Sequence, residues 1–142
     1  MKIWKKEFDL KALNDHSKGC MVAHVGIEFV ETGENYLKGT MPVDHRTTQP
    51  MGLLHGGASV VLAETLGSIA SFLAIEEGFY SVGLEIKANH IKSATKGVVT
   101  GVVTPVHLGK TTHVWDISIT NENEDLICVS RITMAILKQN FK

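Results

Sequence analysis

The chain has 142 residues, of which 44% are hydrophobic, 20% charged and three are proline. That length and balance fit one domain with its own core and exclude disordered, collagen-like and low-complexity classes. The net charge of −1 lacks the basic excess that a nucleic-acid or anionic-membrane partner needs, and two cysteines, Cys20 and Cys128, are too few for a disulfide framework, so they read as reduced thiols of a cytoplasmic protein.

The start, MKIWKKEFDL, has lysines but no apolar stretch behind them, so no signal peptide is expected. Residues 8–14 predict a short helix capped by Asp9, with Leu10 and Leu13 on one side. Residues 25–32 and 36–43 read as two strands, turned by Gly33, Glu34 and Asn35. Residues 45–54, with Pro50 and Gly52, predict a loop, and residues 56–76 the only long helix. Residues 56–75 are long enough to span a bilayer. Glu64 at mid-segment, four Ser/Thr and three Gly point instead to a helix buried in a domain. Residues 80–92 alternate, with Val82, Leu84, Ile86 and Ala88 facing one way and Gly83, Glu85, Lys87 and Asn89 the other. Residues 97–107, 111–120 and 126–137 are three more β-branched runs, with hairpin tips at Lys110 and at 121–125.

A helix that is apolar nearly all round must be covered on most sides, and alternating strands bury one face. The economical arrangement is α+β: one long central helix wrapped by an antiparallel sheet of five to six strands, in a single domain over residues 1–142.

Glu64 lies between Ala63 and Thr65 in the middle of the helix, where an unpaired buried carboxylate is costly. Such a group is either structural, satisfied by a hydroxyl or a backbone N–H, or a catalytic acid, base or nucleophile. Ser68, four residues on, shares its face, and Gly67 removes bulk beside it. At the helix start stands Leu53-Leu54-His55-Gly56-Gly57. Glycines there leave backbone N–H groups free at the positive end of the helix dipole, able to hold a developing oxyanion; equally, they permit a tight turn and close packing. Gln49 is a second candidate donor, and His55 can position a substrate. Gly56 and Glu64 are eight residues apart, about 12 Å along one helix. One carbonyl cannot lie within hydrogen-bond reach of both. If both act they come from different chains, which predicts an obligate dimer with Glu64 of one subunit facing Gly56 of the other.

The run Gln49-Pro50-Met51-Gly52-Leu53-Leu54-His55-Gly56-Gly57-Ala58, then Leu62-Ala63-Glu64-Thr65 and Gly67-Ser68, resembles the hotdog-fold acyl-CoA thioesterases. The likeness extends to Met41-Pro42-Val43-Asp44, Asn89-His90 and His107-Leu108-Gly109. It is closest to the 4-hydroxybenzoyl-CoA thioesterase branch. The resemblance implies a hotdog fold, a homodimer assembled into a homotetramer, and thioester hydrolysis with no metal and no cofactor, coenzyme A being part of the substrate. It implies Glu64 as nucleophile or general base, the Gly56 N–H polarising the thioester carbonyl, Gln49 and His55 orienting it, and Ser68 assisting Glu64 or the water. It places His90, Lys92, His107 and Gly109 along the CoA arm and Ile69 beside the acyl group; by charge, Lys92 and Lys110 are candidate partners of the CoA phosphates, while Lys87 and Arg131 read as a solvated face. Lys92 stands where the family often has arginine, so the bidentate fork is missing at that contact. The His-Phe-Pro motif or Asp/His dyad of the fold's hydratases is absent around this helix.

The expected substrate is an acyl-CoA, aromatic, with 1,4-dihydroxy-2-naphthoyl-CoA favoured. The alternatives are a proofreading thioesterase acting on a mischarged acyl or aryl carrier protein, and a non-catalytic acyl-CoA-binding hotdog protein.

Overall fold

Asp9 opens the first helix of the computed structural model, α1 (Leu10–His16), where its carboxylate accepts the Ala12 N–H at 2.7 Å. The helix lies two residues beyond the expected 8–14 because the extended Asp9 is its cap and stands outside it. The structure describes residues 1–140; the last two positions of the expected 1–142 domain lie outside the described residues.

A single turn, α2 (Met21–His24), follows, too short to leave a periodic signal in the sequence. Gly26, at φ 80°, ends it, with its N–H on the Ala23 carbonyl at 3.0 Å. The strand expected from residue 25 therefore starts at Glu28. The remaining elements are β1 (Glu28–Thr32), β2 (Leu37–Pro42), α3 (Gly56–Ala74), β3 (Phe79–His90), β4 (Val98–Leu108), β5 (Thr112–Thr120) and β6 (Leu126–Lys138). All six strands join one sheet in the order β1-β2-β4-β5-β6-β3, every neighbouring pair antiparallel. This is the expected α+β arrangement with one central helix.

α3 packs Leu62, Leu66 and Leu73 onto Val99, Val103, Trp115, Ile117, Ile119, Ile132 and Met134 of the sheet, and all ten are inaccessible to solvent. The helix is long and apolar enough to cross a membrane, and half of its most apolar window is buried against the sheet. Cover on most sides was expected. Instead Gly57, Glu64 and Phe72 are exposed. The N-terminal segment straps the far end of this helix. Trp4 is buried, stacks on Trp115 with ring centroids 6.4 Å apart, and gives its indole N–H to the Gly33 carbonyl at 2.7 Å. The Lys6 ammonium donates to the carbonyls of Ile75 (2.8 Å) and Phe72 (3.0 Å), satisfying two acceptors that the helix end leaves open.

β3 departs from the expected alternation. Gly83 pairs with Met134 and Glu85 with Thr133, so Leu84 is an extra residue, a β-bulge. Phe79 packs on the core before the bulge, and Ile86 and Ala88 pack on it afterwards. The inward face thus changes from odd to even numbers. Val82 and Leu84, expected inside with Ile86 and Ala88, are 40% and 66% exposed. A strand read at strict period two cannot show this, because one inserted residue reverses every side chain beyond it.

Candidate functional site

His55 caps α3. Its Nδ1 accepts the Gly57 N–H at 2.8 Å, and its carbonyl receives Ala58 N–H (2.9 Å) and Ser59 N–H (3.2 Å). Nδ1 is therefore an acceptor, which leaves the ring proton of the neutral imidazole on Nε2. The Gly56 N–H has no acceptor among the described residues. It is a free donor at the positive end of a 19-residue helix.

The loop before the helix is held by Gln49. Its backbone N–H bonds the Leu53 carbonyl at 2.8 Å, and its Oε1 accepts Met51 N–H at 2.5 Å and Leu53 N–H at 3.4 Å. Two backbone donors on one side-chain atom fix that atom as the oxygen. The side-chain NH₂ has no acceptor among the described residues and remains available. His90, at the end of β3, lies over Gly56: a Cβ there would fall 2.9 Å from His90 Nε2 and 3.1 Å from its Cε1. Gln49, Gly56, Ser59, His90 and Lys92 line one cleft of about 260 Å³. Four predicted site residues thus meet around one free backbone donor. Lys92 is already paired with Asp125 at 2.7 Å, and that ammonium holds the Asp125 carboxyl below the usual range.

Glu64 is not buried, contrary to expectation. It is exposed, at the open edge of the sheet, with Oε1 beside Gly83 of the edge strand β3. The helix offers its apolar side to a single sheet, so its opposite side is open in one chain. No hydrogen bond joins Ser68 to Glu64, although Ser68 is half-buried one turn on. Ile69 packs on the core and lines no part of the Gly56 cleft. His107, Gly109 and Lys110 lie in and after the end of β4, at the other end of α3. There Gly109 and Lys110 border a second cavity of about 640 Å³, walled by Ile75, Phe79, His113 and Ile136. One chain alone does not bring this group to His90 and Lys92.

Two positions went unmarked in the sequence. His113 is 3% exposed, with Nδ1 3.0 Å from Ser71 Oγ, which also accepts the Trp115 indole N–H at 2.8 Å. Burial pushes its pKa down, with His107 adding repulsion. The alternation His113, Trp115, Ile117, Ile119 already pointed inward. Gly83 is the other, and a glycine inside a strand was the available signal of its bulge.

The thioesterase superfamily model matches residues 51–128. The chain is 53% identical to the 1,4-dihydroxy-2-naphthoyl-CoA hydrolase of Escherichia coli over 135 residues, 95% of this chain and 99% of that one. It is 48% identical to the proofreading thioesterase EntH of Cronobacter turicensis over 135 residues, 95% of this chain and 98% of the other. The crystal structure of a thioesterase from Haemophilus influenzae superposes with a TM-score of 0.94 at 49% identity, covering 96% of this chain and 95% of that one. The chain belongs to the thioesterase superfamily. It is an enzyme of the thioesterase class, with the hotdog fold that the sequence led one to expect.

Proposed function

We propose that this thioesterase hydrolyses an aromatic acyl-CoA to the free acid and coenzyme A in a site shared by two subunits, with no metal or cofactor. The carrying observation is the separation of its two halves. Gly56, with its free N–H, and the exposed Glu64 are about 12 Å apart on one helix. They serve one carbonyl only if a second copy covers the open face of α3.

The means of covering it is β3. This edge strand exposes Tyr80 and Val82 at 40% each and Leu84 at 66%. Pairing it antiparallel with its own copy about a two-fold axis sets Phe79 of one subunit towards His90 of the partner subunit. The cavity at Gly109 and Lys110 then adjoins the partner's cleft, so His107, Gly109 and Lys110 of one chain and His90 and Lys92 of the other flank one CoA arm. Lys92 must exchange Asp125 for a phosphate to take part. Ile69 of the covered helix then borders the acyl group. Two such dimers form the tetramer.

In the reaction, the Gly56 N–H and the free Gln49 amide polarise the thioester carbonyl, and His55 Nε2–H orients it. Glu64 of the facing subunit attacks the carbonyl carbon and expels the thiolate, giving a mixed anhydride that water opens, or it deprotonates the water that attacks, with Ser68 holding that water. A single turnover in heavy-oxygen water separates the routes, since label enters Glu64 only by the first.

The named activity of the Escherichia coli relative supports 1,4-dihydroxy-2-naphthoyl-CoA as substrate. The EntH relative supports a second reading, proofreading of a mischarged aryl carrier protein. The test is thiol release from aromatic and straight-chain acyl-CoAs, with wild type beside Glu64→Gln. Strong aromatic turnover, lost in the variant, is expected. No turnover of any CoA ester by folded dimer overturns the CoA reading and directs the test to acylated carrier protein. Near-full activity of Glu64→Gln overturns the role of Glu64.

A further inference from the structure

We propose that Gly83 is a positioning residue for the reaction, seating the Glu64 carboxylate where any side chain would displace it. The inference rests on Glu64 carrying the chemistry, as proposed above. A Cβ built on Gly83 falls 3.3 Å from Glu64 Oε1 and 3.9 Å from Met134 Sδ. A methyl there pushes the carboxylate aside by a few tenths of an ångström and takes the place of water at one of its oxygens.

The backbone does not require glycine at this position. The glycines with positive φ are 19, 26, 52, 78 and 97, and Gly83 is not among them. Within a 12-residue strand a glycine is locally unfavourable, so what it supplies is space. The bulge follows directly after it. Gly83 turns its open side to Glu64, and the extra Leu84 then puts Ile86, Ala88 and His90 on the helix side. An uninterrupted strand would bring Glu85, Lys87 and Asn89 inward and turn His90 away from Gly56. The irregularity in β3 therefore sets the imidazole over the free N–H, and the glycine just before it leaves the seat of the carboxylate open.

The experiment is Gly83→Ala in the full chain, assayed on an aromatic acyl-CoA beside Glu64→Gln. The expected kcat falls at least tenfold with KM within threefold of wild type. The melting temperature does not fall, since alanine fits this backbone and the two atoms it meets are flexible side-chain ends. In the Gly83→Ala background, Glu64→Asp costs less than in wild type, since the shorter side chain retreats from the methyl. A Gly83→Ala enzyme with wild-type kcat, or one altered in KM alone, overturns the seat. If Glu64→Gln is inactive while Gly83→Ala is normal, only the seat is lost. If Glu64→Gln is active, the role of Glu64 falls, and the seat with it.

Discussion

The His90 imidazole rests on the α-carbon of Gly56, so close that a Cβ at position 56 would fall 2.9 Å from Nε2. The contact ties the end of β3 to the start of α3 and keeps the Gly56 N–H facing the cleft. Gly56→Ala must displace the ring or tilt the first turn, which removes the imidazole from over the donor or moves the donor itself. A misplaced oxyanion donor costs about 10²-fold in kcat. We expect a loss of that order with the fold retained, and partial recovery when His90→Ala is added to make room. Steady-state kinetics of the single and double variants check this. A fully active Gly56→Ala would show that the His90 contact does not hold the donor in place.

The shared site predicts complementation. Glu64→Ala chains and Gln49→Ala chains are each inactive as homodimers, because each lacks one half of both sites. Refolded together, mixed dimers hold one intact site of the two. Their thiol release should reach up to half of the wild-type rate per dimer. Mixed dimers verified by mass that remain inactive would place both halves in one chain.

Leu84 gives a test that does not touch the chemistry directly. At 66% exposure on an edge strand it has no reason to be apolar in an isolated chain. Leu84→Lys should yield a folded monomer by sedimentation, with little thioesterase activity. An active monomer would sink the two-chain site.

The long helix was legible to within two residues, expected over 56–76 and found at Gly56–Ala74, because the rest of the chain offers no other long apolar run without strand-like alternation. Gln49 and Gly56 were legible in the loop and helix entry, whereas His90, the last residue of β3, and Lys92, two residues beyond it, came through the family resemblance; one cleft at the helix start gathers all four. Two things were not legible. The bulge at Leu84 has no fixed residue signature, and it reversed the predicted faces of Val82 and Leu84. The exposure of Glu64 depends on how many layers cover α3, which helix periodicity does not specify: an apolar helix looks the same whether a second layer comes from its own chain or from another copy. His113 went unmarked because its partner, Ser71, lies 42 residues away in the chain.

His113 makes stability depend on pH. Its pKa is lowered by burial, so between that value and the ordinary 6.5 the unfolded chain is protonated there and the folded one is not. The unfolded state binds more protons in this window, so stability is complete above about pH 6.5 and declines as pH falls towards the folded value. His113→Gln keeps an acceptor for Ser71 and removes the titration. Thermal melts between pH 7.5 and 5 should show a smaller drop for the variant than for wild type. Parallel curves would mean that His113 does not titrate differently on folding.

The N-terminal strap predicts a division between stability and chemistry. Trp4 fills the space between Trp115 and Gly33, and replacing a buried tryptophan by alanine costs about 3–5 kcal/mol. Lys6 satisfies the Ile75 and Phe72 carbonyls with a charged donor, and losing such bonds costs about 1.5–3 kcal/mol. Neither residue lines the Gly56 cleft. Urea unfolding of Trp4→Ala and Lys6→Met should therefore show lower midpoints in that order, with the folded fraction of each keeping wild-type kcat. The Lys6 loss should persist when Phe72 is replaced by leucine. The ammonium also lies 4.6 Å from the Phe72 ring, and only the carbonyl bonds survive that change. A Lys6→Met effect that disappears in the Phe72→Leu background would assign the contribution to the ring and not to the helix end.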